Sequence, residues 1–287
     1  QEGSEAMRKN TPLTHARHDP GHVLAHGLFR SLASGDYKRL KLDVAYEIGN
    51  ERLEFGAKEP LGTDEMRVLQ GLVALAGPKG LILKADTQSS DARQLFLDLF
   101  APASEFVAAT DQPESLVVRG SFRRLAREIG MNESGPNITR IRQAIERLFA
   151  VTIFIQSGRR RVGCRLISSY ASDEGAGDLY VALNPRLTEA ILGNGQHVRI
   201  DMEEVRGLRS DPARLMHQRL SGWINPGMRR EVSIDTLCSY VWPDAGSDAA
   251  MRKRRQRIRS ALTELRKVGW FADVQDGVVT LGRPKIA

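Results

Sequence analysis

Across residues 121–183 the apolar positions change period twice, from threes and fours to twos, and the changes mark out two helices followed by strands. Ser121 is placed to cap a helix whose inward positions are Phe122, Leu125, Ala126 and Ile129, with Gly130 as its stop. A stretch rich in Asn, Ser, Gly and Pro then forms a turn, and a second helix begins near Asn137. In it Ile138, Ile141, Ile145 and Leu148 share one stripe, which puts Thr139, Arg140, Arg142, Gln143, Glu146 and Arg147 outside that stripe. A β-branched run over 151–156 leads to Ser157-Gly158 with Arg159, Arg160 and Arg161 at the tip; strands over 162–170 and 179–183 follow. Helix, turn, helix and basic-tipped hairpin in this order predict a winged helix-turn-helix, with those three arginines on the wing.

The order returns further along the chain. RIRQAIERL at 140–148 aligns without gaps to RIRSALTEL at 257–265, so the motif is an internal repeat. Ahead of the second copy, Ser233 caps a helix carrying Ile234, Leu237 and Val241 that Trp242-Pro243 breaks, and a helix over 212–224 turns Leu215, Met216, Leu220 and Trp223 inward. Behind it, 270–274 and 277–281 alternate as a hairpin with an Asp276-Gly277 turn. The predicted fold class is α+β, mostly helical, built as two tandem winged helix-turn-helix domains. Their expected bounds are 21–193 and 194–287, after a flexible arm over 1–20 in which 1–6 precede Met7 and read as a tag remnant. Within the first domain a short helix is expected over 21–32 and a hairpin over 41–55. A core helix begins at Thr63 or Asp64 and is expected to end at Gly77-Pro78.

Charge sharpens the picture. The formal net charge is +7, and within 249–270 alone Arg252, Lys253, Arg254, Arg255, Arg257, Arg259, Arg266 and Lys267 stand against Glu264, the same surplus. A solvated helix face normally mixes signs at four-residue spacing, whereas MRKRRQRIR has no acid, so the pattern calls for an external anion. With Ile258, Leu262, Leu265 and Met251 inward, a turn of 100° per residue sends Arg252, Lys253, Gln256, Arg257 and Ser260 outward, puts Arg259 on the flank and sets Arg254 and Arg255 nearer the core edge. Arg grips guanine and Gln grips adenine with paired hydrogen bonds in the major groove, so Arg252 and Gln256 are the expected base readers and the flanking arginines the phosphate contacts. The first copy is less basic, and its reading as a DNA contact through Thr139, Arg140, Arg142, Gln143 and Arg147 competes with a purely structural winged helix used for packing or dimerisation; the Arg159, Arg160 and Arg161 tip favours contact, with phosphates or a minor groove.

Other residues carry less. His15, His18, His22 and His26 lie close in sequence, but Pro20-Gly21 interrupts any helix aligning them and no metal is expected. Cys164 and Cys238 are far apart, which excludes a disulfide framework and a cysteine zinc site. QLFLDLF at 94–100 resembles the short peptides that bind bacterial sliding clamps, against a plain amphipathic segment. No run of about 18 apolar residues and no signal pattern occurs, so the expected compartment is the cytoplasm and no membrane is involved. Walker A, HExxH, GxSxG and dinucleotide fingerprints are missing from the sequence, no cofactor is expected, and the chain reads as a non-enzyme.

The stretches HARHDPGH, EPLGTDEMRVLQGLVALAGPKG, YASDEGAGDLYVALNP, GQHVRIDMEEVRGL and SIDTLCSYVWP, with MRKRRQRIRSALTEL, run from Leu13 to Pro284. Together they resemble the RepC-type iteron-binding replication initiators of IncQ broad-host-range plasmids. The resemblance implies binding to directly repeated sites in the vegetative origin, opening of an adjacent AT-rich segment, and work with a plasmid-encoded helicase and primase. It also implies a homodimer, formed through the first domain, that is typically inactive. Two rivals stay open at this point: a winged-helix transcriptional regulator on an inverted repeat, and a replication enzyme such as a primase or nicking protein.

Overall fold

A computed structural model describes residues 14–79, 81–83, 115–173, 177–193 and 195–285. The segment at 94–100 lies outside them. Strand β1 (His15–His18), helix α1 (Pro20–Leu24) and helix α2 (Asp36–Arg39) precede the hairpin of β2 (Leu42–Ile48) and β3 (Glu51–Ala57). Helix α3 (Thr63–Lys79) and strand β4 (Leu81–Leu83) follow, then β5 (Ser115–Ser121), α4 (Phe122–Glu128) and α5 (Gly135–Ala150). Next come β6 (Thr152–Ser157), β7 (Arg160–Arg165), β8 (Ile167–Asp173), β9 (Asp178–Leu183), α6 (Pro185–Leu192), β10 (Val198–Asp201) and α7 (Met202–Gly207). The remaining elements are α8 (Asp211–Trp223), β11 (Arg229–Ser233), α9 (Ile234–Val241), α10 (Asp248–Lys267), β12 (Phe271–Gln275) and β13 (Val278–Gly282).

Two winged-helix units emerge from this order. In the first, α3, β5, α4 and α5 are followed by β8 and β9, and β9 pairs with both β5 and β8. In the second, α8, β11, α9 and α10 are followed by β12 and β13, and β13 pairs with both β11 and β12. The strand ahead of each helix-turn-helix therefore hydrogen-bonds to the last strand of its wing.

That equivalence corrects the expected wing. The arginine-tipped hairpin β6–β7 is not the wing of the first unit; β8–β9 is, and β6–β7 is inserted between the second helix and the wing. Its own sheet has the order β2-β3-β6-β7, with Glu51 opposite Ser157 and Gly56 opposite Thr152. Buried Leu53 and Phe55 on β3 and Ile153 on β6 share one face, which is why β6 extends the β2–β3 ladder. The run expected as one strand over 162–170 is split at Leu166. This fully buried residue donates its N–H to Val151 O and accepts from Asn184 Nδ2, and there the chain changes sheets.

Three further expectations shift. The helix expected over 21–32 is only α1; Asp19 caps it by accepting from the His22 N–H, and Leu28 and Phe29 are buried beyond its end in non-helical chain. Helix α3 runs past Gly77-Pro78 to Lys79. Met66, Val68, Leu69, Leu72, Val73 and Leu75 are buried around most of its circumference, so packing decides its length and a proline in the last turn removes only one backbone hydrogen bond. The end of the expected flexible arm is ordered: His15–His18 pairs antiparallel with Val198–Asp201, and His18 is fully buried.

Helices α3 and α4 approach closely at Gly71, where an added Cβ would lie 2.5 Å from Ile129 Cγ2 and 2.6 Å from Leu125 Cδ1. The units share one apolar core. Strand β1 joins β10, α1 packs on α8, and Gln70 Nε2 on α3 donates to Gln218 Oε1 on α8 at 2.8 Å. The loop after α1 also reaches the second helix-turn-helix. The Ser31 N–H donates to Val241 O, His26 Nε2 lies 3.0 Å from Ser239 O, and Arg30 pairs with Asp244. No helix of the described residues is long and apolar enough to cross a membrane.

Candidate nucleic-acid interface

Helix α10 is seated by Ile258, Ala261, Leu262 and Leu265, all buried, and Ser247 caps it by accepting from the Ala250 N–H at 3.3 Å. Its partner α9 is capped in the same way by Ser233, which accepts from the Thr236 N–H at 3.0 Å. With the core face fixed, Arg252, Lys253, Gln256, Arg257, Arg259 and Ser260 are all exposed. This is the outward set that 3.6-residue periodicity predicts, joined by Arg259 from the flank.

The eight bases of this segment are not equivalent. Arg255 grips Asp235 at the start of α9 with two hydrogen bonds of 2.6 and 2.8 Å, holding the Asp235 carboxyl below its ordinary value. Arg254 Nη1 donates to Asp244 O at 2.7 Å, and Arg266 Nε donates to Ala272 O at 2.7 Å. These three bases are engaged within the protein. Arg252, Lys253, Arg257, Arg259 and Lys267 have no acidic partner among the described residues, although the Arg257 guanidinium stands 4.9 Å from the Trp242 ring. Glu264, the acid of the segment, is turned away from them: it accepts from the Arg209 and Ser210 N–H groups at 2.8 and 3.1 Å and so helps cap α8. The outward face of α10 is left positive.

Helix α5 repeats the geometry but not the charge. Ile141, Ala144, Ile145 and Leu148 are buried, while Thr139, Arg140, Gln143 and Glu146 are exposed. Arg140 binds Asp64 on α3 at 2.6 Å. Arg147 binds Glu59 at 2.7 Å and the buried Glu65 at 3.0 Å, with its guanidinium 4.0 Å from the Tyr37 ring. Arg142 is half-buried, 5.2 Å from the Phe122 ring. In the ungapped alignment Gly135 and Pro136 match Arg252 and Lys253, and Thr139 matches Gln256. Helix α10 starts one turn earlier, and two of its free cations, Arg252 and Lys253, fall where α5 begins.

Away from the two readers, Arg159 and Arg160 are exposed at the β6–β7 tip without an acidic partner among the described residues, while Arg161 binds Glu54 at 2.7 Å. The wing proper of the second unit ends in Asp276-Gly277, both with positive φ in a type I′ turn, and presents no base there. The N-terminal histidines have separate surroundings: His18 and His22 are buried near Phe55, His15 sits on the exposed side of β1, and His26 meets Ser239. Among the described residues no group of three or more His, Cys, Asp or Glu side chains converges. Sequence reasoning missed Trp242, whose ring lies 4.9 to 5.7 Å from Arg257 and Arg254, and the exposed pair Arg229 and Arg230 on β11. The three-residue spacing of Arg254 and Arg257 was the available signal for Trp242.

The family model for replication protein C (RepC) matches residues 10–285. The chain belongs to the RepC family. Solved structures at low identity share the fold of this RepC-family chain. A crystal structure of selenomethionine derivatives of domains 2 and 3 of RctB has a TM-score of 0.56 at 11% identity, covering 93% of this chain and 99% of that one. A second crystal structure of RctB domains 2–3 gives 0.52 at 12% identity, with coverages of 88% and 93%. The Pi initiator protein in complex with iteron DNA gives 0.51 at 12% identity, with coverages of 94% and 97%. Comparison with curated proteins finds no match. The RepC-family chain is thus a replication protein with the tandem winged-helix architecture of these initiators.

Proposed function

We propose that this RepC-family chain is a non-enzymatic plasmid replication initiator that binds directly repeated duplex sites, or iterons, at the vegetative origin. Its two reading units are 21–193 and 194–287, with α5 and α10 in successive major grooves. The observation that carries this reading is the outward face of α10: five free cations and Gln256, with no acid among them, on the solvent side of a helix-turn-helix. Arg252 and Gln256 read base edges; Lys253, Arg257 and Arg259 hold phosphates, and Arg254 and Arg255 keep α10 in place. On α5, Thr139 and Gln143 face bases, Arg140 and Arg142 border the groove, and Arg147 positions the helix through Glu59 and Glu65. The solved complex of the Pi initiator with iteron DNA supports the choice of ligand by likeness of fold.

Binding adjacent direct repeats bends or underwinds the duplex and favours melting of weakly stacked AT-rich steps, to which a plasmid-encoded helicase and primase are then recruited in the cytoplasm. A homodimer is the storage form. Footprinting on matched DNAs with direct or inverted repeats tests the reading: protection of each direct repeat by one asymmetric monomer is expected. A two-fold footprint confined to inverted repeats would make the protein a transcriptional regulator instead.

A further inference from the structure

The β6–β7 hairpin is not the wing, so its basic tip and open edge need a separate account. We propose that the free edge of β7 is a docking site for a partner protein, taking an extended acidic segment as a fifth strand of the β2-β3-β6-β7 sheet. Four observations converge. Strand β7 is terminal in its sheet, and its pairing with β6 runs from Thr152–Arg165 to Ser157–Arg160 without a bulge, so the edge is regular. A two-residue turn with Gly158 at φ +57 closes the hairpin; counting alternate residues from Ser157–Arg160 puts the N–H and C=O groups of Arg161, Gly163 and Arg165 on the open side. Val162 and Phe154 are 42% and 41% exposed, giving apolar side chains on both faces next to that edge. Finally, Arg159 and Arg160 carry charge that no acid of the described residues neutralises.

Charge selects the occupant. Arginines on an edge are a common guard against edge-to-edge pairing, because like charges on facing strands repel. A second copy paired antiparallel through the centre of β7 would set Arg160 opposite Arg165 twice. An acidic strand meets the same residues with the opposite sign and completes the backbone ladder, while its apolar residues cover Val162 or Phe154. A DNA strand would satisfy the arginines but use neither the open amides nor the two apolar side chains.

The test uses the full-length chain and a fluorescein-labelled peptide of alternating Glu and Val, with a Lys/Val peptide of equal length as control. The acidic peptide is expected to bind, to release as salt rises, and to slow hydrogen exchange at Arg161, Gly163 and Arg165; the basic peptide is expected to do neither. Gly163→Pro removes an outward N–H and is expected to weaken binding about tenfold, and the double reversal R159E/R160E to weaken it further, with circular dichroism unchanged in both. R159E/R160E keeps the test decisive if the proline variant misfolds. Three outcomes would overturn the proposal: no exchange protection by the acidic peptide, protection of the same amides by raising protein concentration alone, or loss of iteron affinity in R159E/R160E without any effect on peptide binding.

Discussion

If only cations free of internal partners release counterions from DNA, the salt dependence of binding measures which arginines of α10 face the duplex. Arg252, Lys253, Arg257, Arg259 and Lys267 qualify, and Arg254, Arg255 and Arg266 do not. Arg252 is the base reader among them, so the four phosphate contacts left give a log–log slope of about −3.6, and raising salt from about 50 to about 200 mM weakens binding about 150-fold through α10 alone. Neutralising one phosphate contact, as in Lys253→Ala or Arg259→Ala, makes the slope shallower by about 0.9. Arg255→Ala leaves it unchanged, because that guanidinium is held by Asp235 before DNA arrives. Anisotropy titrations of a labelled single-iteron duplex across this salt range supply the slopes. The reasoning fails if Arg255→Ala flattens the slope as much as Lys253→Ala, or if the pair K253A/R259A leaves it untouched.

Other consequences are independent of that measurement. Gln256→Ala is expected to lose about 1 to 3 kcal/mol of discrimination at one base pair, read from a panel of single-substituted iterons; an equal loss on all members would make it a phosphate contact. Ile258→Ala opens a cavity beneath α10 and is expected to cost about 2 to 5 kcal/mol in urea unfolding, with the salt slope of the folded fraction preserved. Burial, and then the charge of His22, push the His18 imidazole down to about 3, so between the ordinary histidine value and that point the unfolded chain takes up a proton that the fold refuses. Stability is therefore present at neutral pH and lost as pH falls through this window, by up to about 1.4 kcal/mol per unit, and His18→Phe is expected to flatten the profile; parallel profiles would remove His18 as a cause. Arg30→Ala breaks the pair with Asp244 and is expected to widen tolerance for one added base pair between half-sites, scored against the unchanged chain by competition.

The two helix-turn-helix motifs were legible because local rules suffice for them. Ser121, Ser233 and the 3.6-residue stripes act within a few residues, and the RIRxA repeat fixed the register of α5 against α10. What sequence missed depends on distant partners. The β6–β7 hairpin has the local look of a wing, and only its long-range pairing with β3 removes it from that place. Arg140 and Arg147 look like free cations until α3 and the residues before it bring up Asp64, Glu59 and Glu65. Likewise the arm over 1–20 reads as polar and loose, yet His15–His18 finds its strand partner at Val198–Asp201.

Those long-range contacts bear on the proposed recognition of a repeat of asymmetric half-sites. The free cations lie on α10 and the neutralised ones on α5, so under the proposed function affinity comes mainly from one reader, while the other adds register and selectivity at little electrostatic gain. Such a division works only if α5 cannot drift while α10 is bound. Strand pairing of β1 with β10, the Gln70–Gln218 bond between α3 and α8, and the loop that brings Arg30 and Ser31 to Asp244 and Val241 tie the two readers into one body. Once α10 is seated, α5 is presented at a fixed distance and angle, and a half-site displaced by one base pair rotates away from it by about 34° in B-DNA, with 10.5 base pairs per turn. Spacing is then read by the protein core as strictly as sequence is read by the helices.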